Sequence, residues 1–277
     1  NLATTQKING LSYTRHTNVG YLGRANYNYN DTYHLSVSVR RDGSSVFGAN
    51  NKWGTFPSLA LAWRANEESF LRNVSWIDNL KLRLSYGIVG NQNGIGNYTT
   101  LGLTDQERYE FGDNSYMGYL PGKELSNPNL KWEQSRTANI GLDFGFFNNR
   151  LSGTIEYYNT RTTDLIVKRE INSVLGYEQM LDNLGETKSH GIDISINGDV
   201  FRTKNFTWSL GANFSQYANE IVKIDNQVDE NGKPLSQPGN SWFVGKPIHV
   251  YYDYLPDGIY QYEDFDIKRN AYGKLEY

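Results

Sequence analysis

The feature that most restricts this chain is the length over which it alternates. Between residues 19 and 215, apolar and polar side chains take turns in about eight stretches, many of them roughly ten residues long. A period of two belongs to an extended strand whose faces meet different surroundings. Val19, Tyr21, Gly23, Ala25, Tyr27 and Tyr29 share one face of the first stretch; Gly20, Arg24, Asn26 and Asn28 share the other, with Leu22 the exception. The pattern resumes at Tyr33, Leu35, Val37 and Val39. It recurs over 59–64, 80–87, 138–146, 151–157, 192–197 and 206–215. Strands of globular proteins usually run about five or six residues. A tilted strand that crosses a bilayer needs about 9–11. Length therefore predicts an all-β fold, and a transmembrane antiparallel barrel ahead of a soluble sandwich.

The connections carry a second signal. Short turns fall at Asn30-Asp31, at Asn148-Asn149 and around 202–205. A medium connection, 67–78, opens like a helix, with Asn66 as a candidate cap before Glu67 and Glu68. Between these lie long loops at about 42–54, 90–134 and 162–186. Tight turns at one end and long loops at the other are the asymmetry of outer-membrane barrels. Aromatic residues follow it. Tyr27, Tyr29 and Tyr33 flank one short turn, Phe144, Phe146 and Phe147 another, and Phe201, Phe206 and Trp208 a third. Rings gathered at one end of successive hairpins would form an interfacial girdle.

Composition at first argues against a membrane. Hydrophobic residues make up 38% of the chain and the mean hydropathy is −0.64. That excludes a helical membrane protein, since no run approaches the roughly 18 apolar residues of a spanning helix. It is compatible with a barrel, which shows apolar residues to lipid on one face only. A net charge of −3, with Lys and Arg spread along the chain, implies no nucleic-acid partner. With no Cys, neither a disulfide framework nor a thiolate metal site is available.

Chemical motifs fail on inspection. Gly90, Gly94 and Gly96 have no βαβ setting for a nucleotide fingerprint. Asp225, Asp229, Glu230 and Asn231 before Gly232 lack the spacing of an EF-hand and read as an acidic turn. His16, His34, His190 and His249 show no ligand spacing, and no nucleophile elbow is present. The chain is read as a non-enzyme without cofactor or metal.

One run goes beyond pattern. Gly43-Ser44-Ser45-Val46-Phe47-Gly48, Asn51-Lys52-Trp53-Gly54 and Phe56-Pro57-Ser58 resemble a characteristic segment of SusC/RagA-type TonB-dependent outer-membrane transporters. Trp63-Arg64, Glu67-Glu68, Leu80-Lys81-Leu82-Arg83, Ser85-Tyr86-Gly87 and Gly90-Asn91-Gln92 continue it in order. So do Leu130-Lys131-Trp132-Glu133, Tyr157-Tyr158-Asn159, Asn183-Leu184-Gly185-Glu186 and Gly258-Ile259-Tyr260-Gln261. The resemblance implies a 22-stranded barrel around a plug domain, with about eight strands in residues 1–277. It places the plug, the TonB-contacting segment and the closing strand outside this stretch, and both ends read as cuts. It further implies import of a nutrient, an oligosaccharide or in some cases a peptide. The implied partners are a SusD-like surface lipoprotein, the TonB complex and outer-membrane lipid.

Within that picture two groups of residues stand out. Arg24, Arg40, Arg64, Lys81 and Arg83 lie on polar strand faces, where they would meet the plug, the solute or lumen water. Tyr98, Tyr109, Tyr116, Tyr119, Trp132 and Trp242 lie in or beside the long loops. Their rings could stack on sugars, or equally pack the loops together. The competing reading is a self-contained barrel or sandwich of about eight strands that binds glycan or protein.

Overall fold

In the computed structural model, which describes residues 13–253, 255, 268–269 and 275–276, eight long strands hydrogen-bond into one antiparallel sheet. In chain order, the first four are β1 (Asn18–Tyr29), β2 (Tyr33–Ser44), β3 (Trp53–Arg64) and β4 (Ile77–Asn91). Three short strands follow: β5 (Thr104–Phe111), β6 (Asn114–Pro121) and β7 (Glu124–Leu125). The sheet then continues through β8 (Glu133–Phe146), β9 (Leu151–Glu170), β10 (Gln179–Arg202) and β11 (Thr207–Lys223). Its order is β1-β2-β3-β4-β8-β9-β10-β11, with β7 added in parallel to the start of β10. A small separate hairpin joins β12 (Lys268–Arg269) to β13 (Leu275–Glu276).

Register turns the alternation of each strand into two continuous faces. Tyr27, Leu35, Leu61, Leu84, Ile140, Tyr157 and Ile192 oppose one another in sequence across seven strands. A slip of one residue would move a whole strand's apolar set to the opposite face. These side chains are not covered by protein: Leu61 is 44% exposed and Ile140 45%. A contiguous apolar surface of this size has no place in water and suits lipid. The other face carries Asn26, Ser36, Ala60, Ser85, Asn139, Tyr158 and Gly191 at neighbouring registers.

The short-turn end closes tightly. Asn30 and Asp31, then Phe147, Asn148 and Asn149, all take left-handed backbone angles of 50–59°. Asn and Asp tolerate that region; a Phe seldom does. Phe147 is held there by ring packing, its centroid 6.0 Å from that of Trp76, which also lies 5.4 Å from Phe146. Phe201 stacks on Trp208 at 5.8 Å, and Tyr29 lies 6.5 Å from Tyr33. Rings therefore gather at the short-turn end as expected, with Trp76 as an additional member.

Three expectations need correction. The loop expected at 162–186 is mostly strand: β9 and β10 stay paired as far as Glu170 and Gln179, leaving only 171–178 to turn. Register shifts between Asn183 and Thr187 break the alternation there and hide the strand from sequence. The loop at 90–134 holds the β5–β6 hairpin, whose Asp105-Gln106-Glu107-Arg108 stretch has no apolar face to announce it. Asn66 does not cap a helix. The turn is a short 3-10 segment, Ala65–Glu67, with Arg64 at its cap position and no side-chain cap bond. Instead, Asn66 Oδ1 accepts from the Leu80 amide at 3.2 Å, tying the turn to β4. The family-like run at Gly258-Ile259-Tyr260-Gln261 lies outside the described residues.

Candidate functional site

Buried apolar side chains gather at the long-loop end rather than along the sheet. The loop after β2 folds inward, so that Val46 and Phe47 are 2% and 1% exposed. Phe47 packs at 4.7 Å from Trp132, and Phe56 of β3 meets the same indole edge-on at 5.6 Å. The Trp132 Nε1–H donates to the Lys52 carbonyl at 3.3 Å. Gly48 makes this approach possible: a Cβ there would lie 1.9 Å from the Pro128 carbonyl oxygen. Asn51 donates to the Asn129 carbonyl at 2.8 Å, joining the loops that follow β2 and β4.

Polar groups fasten this rim to the strands below. Glu133, 8% exposed, accepts from Asn91 at 2.7 Å and from the Ile166 amide at 2.9 Å. The Asn183 side chain bridges three backbone groups: it accepts from the Lys131 amide and donates to the Lys131 and Asp164 carbonyls. Such bonds cost little in water-free surroundings only when complete, as they are here.

Beneath the rim, on the polar face of β1–β4, opens a hollow of about 770 Å³. Arg24, Arg40, Asp42, Phe56, Asn91, Gln92 and Trp132 are among the residues lining it. Arg40 holds Asp42 in a 2.6 Å ion pair. Arg24 makes no ion pair among the described residues. The buried Gln92 Oε1 has no donor. Both residues line the hollow, Arg24 with its guanidinium outside any ion pair of the described residues and Gln92 with its amide oxygen enclosed. Ser38 and Ser58 bond each other at 2.6 Å across the same wall. Among the described residues, no set of His, Asp and Glu is placed to hold a metal.

The remaining polar-face cations serve the sheet. Arg83 bridges Asp143, at 2.9 Å, and Glu156, while Thr154 donates to Asp143 at 3.1 Å. Arg64 clamps the short-turn end through Asp31 and through Glu67 at 3.1 Å. Lys81 opposes Arg64 on one side and Asp143 on the other.

The loop aromatics do not form one cluster. Tyr109 and Tyr116 are opposed on one face of the β5–β6 hairpin, 41% and 57% exposed, and Tyr119 lies on its other face. The Tyr98 hydroxyl accepts from the Arg15 amide at 3.0 Å. Trp242 belongs to a separate turn bridged to Gln237. Trp132 is largely enclosed and packs the loops while edging the hollow. Sequence reasoning missed Asp42, Gln92 and Glu133 as site residues; polar singletons in loops carry no periodic signal. The acidic turn reads as expected, with Asp229 Oδ1 accepting from the Asn231 and Lys233 amides.

Comparison with known proteins agrees with this geometry. Residues 3–276 match the family described as TonB dependent receptor-like, beta-barrel. The chain is 38% identical to the TonB-dependent receptor SusC of Bacteroides thetaiotaomicron, covering 95% of this chain and 28% of that protein. It is 34% identical to the TonB-dependent receptor P39 of Formosa agariphila, covering 98% of this chain and 26% of that protein. Among solved structures, the RagAB peptide transporter superposes with a TM-score of 0.74 at 29% identity, over 89% of this chain and 27% of that one. The chain thus spans about a quarter of the length of these relatives. On sequence, strand order and face polarity together, it belongs to the TonB-dependent receptor β-barrel family, in its SusC/RagA-type branch, whose members reside in the outer membrane.

Proposed function

We propose that residues 1–277 form part of the channel wall of an importer that takes a nutrient across the outer membrane with energy delivered through TonB. The whole chain is assigned to the barrel domain, with the plug and the TonB-contacting segment outside it. The apolar face meets lipid. The polar face, with Arg24, Arg40, Arg64, Lys81 and Arg83, meets the lumen and the plug. The long-loop end faces outward, where Tyr98, Tyr109, Tyr116, Tyr119 and Trp242 are offered to the solute or to a SusD-like surface lipoprotein.

The observation that supports this reading best is the polar hollow beneath the packed rim, with Arg24, the Arg40–Asp42 pair, Asn91 and Gln92 in its lining. An oligosaccharide would use these as hydroxyl donors and acceptors, with rings stacking on the exposed tyrosines. A peptide is the second reading, favoured by the likeness to RagAB and by the charged pair, which suits chain termini. The test is uptake of labelled oligosaccharide or peptide by cells carrying the full-length transporter. Arg24→Ala with Gln92→Ala should lower uptake of the true solute severalfold at unchanged barrel abundance. Unchanged uptake of both solutes would remove the hollow from the path.

A further inference from the structure

The apolar face does not remain apolar up to the loops. One level above Ala138 and Asn159 it carries Arg136, Arg161 and Lys188, directly opposed on β8, β9 and β10. Like charges placed opposite across a sheet repel one another. Arg161 has Glu186 at 2.6 Å, and Lys188 has Glu220 at 2.6 Å. Arg136 reaches only the Gln134 Oε1 at 3.2 Å and meets no carboxylate among the described residues. Three adjacent cations thus share two carboxylates, and one positive charge stands unmatched at the centre of the sheet.

The row sits at a defined height. From Leu151 to Arg161, β9 rises about 33 Å along its own axis, or about 25 Å along the membrane normal at a tilt near 40°. That is the thickness of the apolar band of such barrels, so the cations lie level with the outer headgroups. Immediately below is a shallow hollow of about 370 Å³, floored by Ala138 and walled by Leu84, Tyr86, Ile140 and Tyr157. Ala138 opens it, because a methyl stands where its neighbours carry long side chains or rings. Strands on both sides complete the site, so it lies wholly within this chain.

We propose that this is a binding site for a phosphate-bearing lipid of the outer leaflet. Arg136 and Arg161 hold the phosphate, Lys188 adds charge beside it, and one acyl chain fills the hollow over Ala138. Guanidinium forks match phosphate oxygens in pairs, and apolar lining matches the chain. A second barrel pressed against this face would bury Arg136 without a counter-charge, which is costly; a lipid phosphate supplies that charge. The site is independent of the solute.

The test is native mass spectrometry of the full-length transporter in detergent, titrated separately with phosphorylated lipid A, phosphatidylethanolamine and inorganic phosphate. One lipid A per barrel should be retained, with phosphatidylethanolamine held at least tenfold more weakly and inorganic phosphate not retained. Arg136→Gln with Arg161→Gln should weaken lipid A binding at least tenfold. Ala138→Leu, with all charges intact, should weaken it severalfold. Equal lipid A binding by the wild type and both variants overturns the proposal. So does retention of inorganic phosphate alone, or a lipid-free dimer that Ala138→Leu abolishes. Should the double variant fail to migrate as a folded barrel on an unheated gel, Ala138→Leu and Arg136→Lys with Arg161→Lys decide. Loss in the first and retention in the second support the site; no loss in the first refutes it.

Discussion

Replacing Phe47 with Ala should unfasten the outer rim while leaving the barrel wall intact. Phe47 is 1% exposed, and it packs on Trp132 at 4.7 Å from a loop that contributes nothing to the strand ladder. Emptying such a site costs about 3–5 kcal/mol in a protein core. The loop can pay this by swinging out, since Val46 and Phe47 leave together without breaking a strand pair. A docking loss of that size raises the open population of the loop between about one hundredfold and several thousandfold. Hydrogen exchange on the full-length protein in detergent reads it directly. Amides in 45–52 and 128–132 should lose protection by that factor. Those of β8 and β9 below Arg136 and Arg161 should keep theirs. Phe47→Leu should show a much smaller change. Protection lost uniformly across the sheet, or unchanged in the loops, would refute the separation of rim from wall.

Gly48→Ala forces a Cβ to within 1.9 Å of the Pro128 oxygen, and the resulting shift should cost about 1–3 kcal/mol, seen as faster proteolysis within 92–132. Arg83→Met leaves Asp143 and Glu156 facing each other; the side chain is one-third exposed, so the loss should be only about 1 kcal/mol in denaturant titration, and Asp143→Asn in the same chain should restore it. The Tyr33 hydroxyl and then the Trp63 indole donate to Glu68 in the short-turn end and hold its carboxyl below the ordinary value of 4.5. A depressed carboxylate contributes stability that is present above 4.5 and is lost as pH falls through its lowered value. Trp63 fluorescence should therefore change only below that pH, and Glu68→Gln should abolish the change. Tyr109→Ala with Tyr116→Ala should leave thermal stability unaltered but weaken binding of solute or lipoprotein, measured by calorimetry on the full-length protein.

The wall was legible in the sequence because one face of every strand meets lipid. Leu61, Leu84 and Ile140 alternate strictly, since a mistake at any of them would put a polar group into hydrocarbon. The same pressure is absent above the membrane. There β9 and β10 run on with Leu181 and Ile166 turned to the packed rim instead of to lipid, and Asn183, Gly185 and Thr187 interrupt the period with register shifts. The β5–β6 hairpin escaped for the same reason. Candidate site residues were half legible. Arg24 and Arg40 stood out as charges on a strand, whereas Asp42, Gln92 and Glu133 acquire their meaning only from partners contributed by distant loops. Trp132 stood out as an aromatic beside a loop, but sequence could not say that Phe47 and Phe56 would enclose it.

The strand order carries an evolutionary consequence. All adjacent pairs in the wall but one join consecutive long strands through a compact connection; β4 and β8 alone are separated by an excursion that holds β5, β6 and β7. The entropy of closing such an excursion grows only logarithmically, by about 0.6 kcal/mol for each doubling of its length. Lineages can therefore lengthen, shorten or exchange this segment without retuning the staves on either side. The anchors at Glu133 and Asn183 set the limit on that freedom. Sequence change can accumulate there at little cost to the wall.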